Sequence, residues 1–311
     1  MGNDHSPALL LEALREILPQ GDIELLCLGA PDLAKNSPFP FHSTPDFVTM
    51  DDKPVAALKK KKKASMFEGL RLLKAGKIDA FVSGGNTGAL VLGSKIILSS
   101  LPRINRPALL SFVPTKKHPV AVLDLGANIQ CKASHLVQFA LMASAFLHTK
   151  GIQKPRIGLL NIGEEPLKGT SELRQAYHLL QTYKNPPFKF AGNVEGKSVF
   201  DGDVDALITD GFTGNVFLKT AEGIASLILD RMNVNLSPET LKTLGPQLSD
   251  LQKHLHYAEY PGALLLGVRG VVIKCHGYST PKAFVNAVRG AIDLAKNGFM
   301  ESFQTSLISF G

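Results

Sequence analysis

Apolar residues recur along this chain with two different periods. Leu10, Leu14, Ile17 and Leu18 lie on one face of a helix that Ser6 caps, Pro7 opens and Pro19 stops. Phe67, Leu70 and Leu73 mark a second helix, which Gly76 ends. Short apolar runs, mostly rich in branched residues, predict strands at 23–28, 78–82, 108–113, 120–123, 156–160, 204–208 and 271–274. Longer periodic stretches at 90–98, 135–149, 172–182 and 216–231 predict helices. This alternation predicts an α/β unit spanning 1–311, with a mainly parallel sheet covered by helices on both faces. Residues 236–257 differ. Leu241, Leu244, Leu248, Leu251 and Leu255 form a narrow seam that Gly245-Pro246 interrupts. They predict a projecting helical hairpin over 233–258, packed on the body or a second subunit, or else binding a surface.

Polar, glycine-rich segments follow strand after strand. Ser83, Gly84, Gly85, Asn86, Thr87 and Gly88 follow 78–82, and the segment 124–128 ends 120–123. Residues 161–165, with Lys168 and Gly169, follow 156–160; residues 210–215 follow 204–208; Cys275, His276 and Gly277 follow 271–274. In a parallel sheet all these loops would share one edge, where open α/β folds bind ligands. Those at 83–88 and 210–215 run into helices. Their glycines and first-turn N–H groups can cradle an anion, with Asn86, Thr87, Thr213 and Asn215 as further donors. Neither loop matches the P-loop or dinucleotide spacing, and taken singly each is as readily a tight turn.

Charge sharpens the reading. The formal net charge is +7, and Lys59 to Lys63 run unbroken. The run is either a solvated face or a dock for an acidic partner. The chain has no Trp and no aromatic residue interleaved with the lysines, which argues against nucleic acid. Cys27, Cys131 and Cys275 form no CxxC pair, which predicts a reduced cytoplasmic setting. Cys131 has no matched base and is not expected to be a nucleophile. No signal peptide or membrane span is expected, and Glu164, Glu165, Glu195 and Asp210 lack a metal-ligand spacing. Lys168 and Lys219 are placed to meet phosphate oxygens. His276 is either a general acid or a structural histidine.

The segments MGNDHSP (1–7), SGGNTGAL (83–90), LGAN (125–128), NIGEEPLKG (161–169), GNVEG (192–196), TDGFTGNVFLK (209–219), PGALLLGV (261–268) and HGYS (276–279) occur in one order along nearly the whole chain. In this combination the chain resembles the bacterial phosphate acyltransferases of phospholipid synthesis, the PlsX type. The resemblance implies transfer of a long acyl group from acyl carrier protein to inorganic phosphate without a cofactor or a metal. It also implies a cytoplasmic homodimer with peripheral membrane contact, the downstream glycerol-3-phosphate acyltransferase as a further partner, and a fold like that of isocitrate and isopropylmalate dehydrogenases. Lys168, Asn215 and His276 are the catalytic candidates. Phosphate or acyl contacts are expected from Ser83, Gly84, Gly85, Asn86, Thr87, Gly88, Asn128, Asn161, Glu165, Asn193, Asp210, Phe212, Thr213, Gly214 and Lys219. In three places the chain departs from the pattern. It begins at a motif that a strand usually precedes, with Asn3 for its second glycine; Gln130 replaces a common acid; and Pro261 replaces a common glycine.

The chemistry suits a site without an evident acid–base pair. Phosphate is already anionic, and the leaving thiol has a pKa near ~8.5, so positioning and oxyanion stabilisation are the main demands. Direct attack without an acyl-enzyme is therefore expected. The alternatives are a short-chain phosphate acetyltransferase, a dehydrogenase of the related fold, and a non-catalytic membrane-associated scaffold.

Overall fold

Alternate residues of the central strands feed two separate apolar layers. The computed structural model describes residues 6–17, 22–235, 245, 262–275 and 280–310. Its first elements are α1 (Pro7–Ala13), β1 (Cys27–Gly29), α2 (Pro31–Ala34), β2 (Phe41–Ser43), α3 (Pro54–Lys60), α4 (Ser65–Lys74), β3 (Ala80–Ser83), α5 (Thr87–Ile97), β4 (Ala108–Val113) and β5 (Val120–Leu123). There follow α6 (Ala133–Thr149), β6 (Arg156–Asn161), α7 (Ser171–Gln181), β7 (Lys189–Glu195), β8 (Ala206–Ile208), α8 (Gly211–Asn235), β9 (Ala263–Leu266), β10 (Val271–Lys274), α9 (Pro281–Lys296) and α10 (Phe299–Ser309).

Ala108, Leu110, Ala121, Leu123, Ile157 and Ile208 pack on one side against Phe139 of α6, Leu180 of α7, Ala287 of α9 and Phe303 of α10. Their neighbours Leu109, Val120, Val122, Leu207 and Val272 face the other way, onto Phe67 and Leu70 of α4 and Leu90 of α5. Phe217 and Leu218 of α8 join this second layer. The period of two thus places helices on both faces of one sheet, as the pattern predicts. Leu10 and Leu14 are buried as the α1 pattern requires, and a 3-10 turn over Leu14–Ile17 continues that helix.

The sheet has eight strands in the order β3-β10-β9-β4-β5-β8-β6-β7. β3 is parallel to β10, and β5, β8, β6 and β7 are parallel to one another. β9 is antiparallel to both β10 and β4, and β4 is antiparallel to β5. The sheet is therefore mixed, with four parallel and three antiparallel pairings among the described strands, so the expected parallel order holds on either side of an antiparallel middle. Residues 114–119 and 267–270 are connections too short for a crossover, so each forces an antiparallel return. As a result β3 and β10 point one way while β5, β6 and β8 point the other. The glycine loops consequently occupy two ends of the sheet instead of one edge.

The predicted strand over 23–28 also sits elsewhere. Among the described residues β1 pairs with β2 alone, in a separate parallel sheet. Between β1 and the outer edge of β3 lies a cavity of about 570 Å³, walled by α1 and α9. The leucine seam Leu241–Leu255, His276, Asn3 and Pro261 lie outside the described residues, and α8 runs on to Asn235. No described helix is long and apolar enough to cross a membrane.

Candidate functional site

At the end of β5 the chain turns on Asp124, whose side chain is fully buried. Its Oδ1 accepts the backbone N–H groups of Leu109 (2.9 Å) and Ala127 (3.1 Å). Its Oδ2 accepts the backbone N–H (2.7 Å) and side-chain amide (2.9 Å) of Asn128. Burial pushes the Asp124 carboxyl above the usual carboxylate range, and these donors oppose the shift. The Asn128 amide also donates to the Pro107 carbonyl at 2.8 Å, so both of its uses are internal.

The start of α8 docks on that turn. The Gly211 N–H donates to the Asn128 carbonyl at 2.7 Å. A Cβ at Gly214 would stand 2.0 Å from the Asp124 carbonyl oxygen, so this glycine is required by close packing. Asp210 caps the helix: its Oδ1 accepts the Thr213 N–H and its Oδ2 the Thr213 hydroxyl, each at 2.9 Å. A carboxylate already occupies the position that would favour a bound anion there. Asn215 lies beside Gly126, Phe212 is exposed, and Lys219 is exposed further along α8.

Asn86 shows the same economy at α5. Its Oδ1 accepts the Ala89 N–H at 3.0 Å, and its amide donates to the carbonyls of Thr49, Met50 and Asp52. Gly85 makes room for Met66, and Gly88 for Pro54 of α3. Ser83 Oγ accepts the Gly85 N–H at 3.3 Å. The first-turn N–H groups of Thr87 and Gly88 make no hydrogen bond among the described residues. Next to this loop, β10 ends in Lys274, only 7% exposed. Its Nζ donates to the carbonyl of Cys275 and, at 3.5 Å, to that of Gly84. Burial and, beyond it, the charge of Lys219 push the Lys274 ammonium down to about 8.

The third group surrounds the loop after β6. The Asn161 amide donates to the Lys168 carbonyl at 3.1 Å, and its oxygen accepts the Ile162 N–H at 2.8 Å. The Asn193 amide donates to the Glu165 carbonyl at 2.8 Å, and its buried oxygen has no partner among the described residues. Lys168 and Glu165 themselves are exposed and 4.0 Å apart.

The structure thus brings Asn128, Asp210, Phe212, Thr213, Gly214 and Asn215 together, with Asn161, Glu165, Lys168 and Asn193 at the same end of the sheet. Ser83 to Gly88 stand apart, at the end of β3. The charge of Lys219 on α8 acts on Lys274 at the end of β10. Asp124 and Lys274 are the two residues to which sequence reasoning gave no role. A lysine closing the apolar run 271–274 was the available signal for the second. Burial pushes the Cys131 and Cys275 thiols up to about 12 and the Cys27 thiol to about 11, so none of them is a ready nucleophile near neutral pH.

The family pattern described as "Fatty acid synthesis protein" matches residues 1–302. A phosphate acyltransferase of Desulfitobacterium hafniense (strain Y51) is 38% identical over 326 residues, covering 100% of this chain and 96% of the relative. The chain belongs to this phosphate acyltransferase family. A second member, from Chlamydia caviae, is 39% identical over 321 residues, covering 99% of this chain and 97% of its own. Beyond the family the likeness is one of fold. The EutD phosphotransacetylase of Staphylococcus aureus has a TM-score of 0.59 at 15% identity, covering 97% of this chain and 91% of the other. A 4-hydroxythreonine-4-phosphate dehydrogenase of Klebsiella pneumoniae has a TM-score of 0.57 at 13% identity, covering 93% and 95%. For a phosphate acyltransferase, the density of glycines and asparagines at strand ends has a mechanical meaning. Most of these side chains pin loops and helix starts.

Proposed function

We propose that this chain transfers a long-chain acyl group from acyl carrier protein to inorganic phosphate. The match to phosphate acyltransferases along the full chain carries the reading. A phosphate oxygen forms the new bond to the thioester carbonyl, the C–S bond breaks, and the departing thiolate takes a proton from water. Neither a thiolate nucleophile nor an acyl-enzyme is needed, in keeping with three thiols whose pKa values burial raises. The N–H groups of Thr87 and Gly88 and the ammonium of Lys219 are the donors we assign to phosphate and to the developing oxyanion, whereas Lys168 stands at the opposite end of the sheet. Asn215 and His276 are the further side chains to which we assign assistance at the thioester.

The carrier as donor is supported by the net charge of +7 and by the lysine run, which lies close to the 83–88 loop because Pro54 of α3 packs on Gly88. The acyl phosphate leaves to the downstream glycerol-3-phosphate acyltransferase. A homodimer and peripheral membrane contact are supported by exposed Ile224, Leu227 and Ile228 along α8, just ahead of the leucine seam. The decisive experiment measures free carrier thiol released by the purified protein from long-chain acyl carrier protein, with and without phosphate. Release that requires phosphate and yields a hydroxylamine-trappable product is expected. Phosphate-independent release, or release only from short coenzyme A thioesters, would refute the proposal.

A further inference from the structure

Lys274 is a cation in a place where proteins rarely leave one. It is 93% removed from solvent (7% exposed), and among the described residues its ammonium donates to two carbonyl oxygens, those of Cys275 and Gly84. None of the ion pairs formed by the described residues includes it. A buried charge is normally paired, because carbonyl dipoles replace its hydration only in part. Here, beyond burial, another cation, Lys219 of α8, acts on it and raises the cost of keeping the proton, while the neighbouring Cys275 thiol acts the other way. On the other side stands α5, whose first-turn Thr87 and Gly88 N–H groups make no hydrogen bond among the described residues. A helix start and a buried ammonium thus stand next to each other at the 83–88 loop, while Lys219 also acts on the half-buried Glu222 of α8.

We propose that Lys274 seats the attacking phosphate, the anion supplying a counter-charge that no ion pair among the described residues provides. The inference rests on the phosphate acyltransferase reading and adds to it a residue that binds the acceptor. Phosphate suits this place better than a carboxylate, because its oxygens can accept from the lysine and from two adjacent backbone N–H groups at once. The ammonium binds only while protonated. Burial and the nearby Lys219 bring its titration close to the working range, and Cys275 is the other titratable group beside it.

The test is a phosphate titration of thiol release by the wild-type protein and by Lys274→Met. Losing a charge-assisted contact should raise the phosphate KM roughly 10- to 150-fold, with the KM for acyl carrier protein almost unchanged. The wild-type phosphate KM should also climb above about pH 8, a break the variant lacks. An unchanged phosphate KM in the variant would overturn the proposal. Should Lys274→Met lose all activity, reductive methylation of the wild type with formaldehyde decides the matter by mass spectrometry. Phosphate should slow modification at Lys274 selectively, and equal modification with and without phosphate would overturn the proposal. The labelling needs no turnover, so it still reads phosphate binding if wild-type thiol release proves independent of phosphate and the functional reading itself fails.

Discussion

At the scale of single residues, Lys274 makes a testable claim about stability. Its ordinary pKa of 10.5 falls to about 8 in the fold because burial, and then Lys219, disfavour the charged form. Between those two values the unfolded chain binds more protons than the folded one, so stability rises with pH across that window. Below pH 8 both states are protonated and the penalty is fully present. Replacing the ammonium by methionine should therefore stabilise the phosphate-free protein by roughly 3 kcal/mol at pH 7. The gain should shrink towards zero as the pH approaches 10.5. Urea denaturation at several pH values would measure it. A variant that is no more stable at pH 7 would mean the ammonium already has a counter-charge. None of this could be read from the run 271–274, where the lysine resembles an ordinary polar strand end.

At the scale of elements, the join between β5 and α8 holds one end of the site together. Asp124 gathers the N–H groups of its own turn, and α8 approaches so closely that Gly214 has no room for a side chain. Gly214→Ala should cost about 3 kcal/mol, because the clash is with backbone that cannot rotate aside. Gly223→Ala is the control on the same helix. Its Cβ would meet nothing within 4 Å, so better helix propensity should leave stability equal or slightly higher. Similar denaturation midpoints for the two variants would contradict this account. The glycine of the TDGFTGN motif was legible in the sequence, but its reason was not, since the contact is made to a strand far away in sequence. Element types were legible for a related cause: period and caps are local. The antiparallel returns could have been inferred from the short spacing before residue 120 and before 271. α9 was overlooked although Thr280-Pro281 repeats the opening signature of Ser6-Pro7. β9 was hidden because four consecutive apolar residues show no alternation, and β7 because it is an edge strand whose half-buried residues include few large apolar ones.

At the scale of the whole molecule, the positive charge becomes a docking surface only where it is free to act. Within the lysine run, Lys61 is already committed: its ammonium lies 2.6 Å from the Asp52 carboxylate and 3.1 Å from the Phe47 carbonyl. That ion pair, led by the hydrogen bond from Lys61, holds Asp52 below its usual range. Lys59, Lys60, Lys62 and Lys63 are exposed. They sit on or just beyond α3, whose Pro54 packs on Gly88 at the start of α5. An acidic carrier approaching this corner would bring its thioester towards the 83–88 loop and Lys274. Long-range attraction of this kind is screened within roughly 10 Å at ~0.1 M salt. Changing these four lysines to glutamine should raise the KM for acyl carrier protein about tenfold at low salt and leave the phosphate KM alone. The wild-type KM should rise with salt towards that of the variant, and the variant's should stay nearly flat. Lys61→Gln should instead loosen the 47–61 segment with little effect on carrier KM. Identical salt profiles for wild type and the fourfold variant would reduce the run to a solvated face and move carrier docking elsewhere.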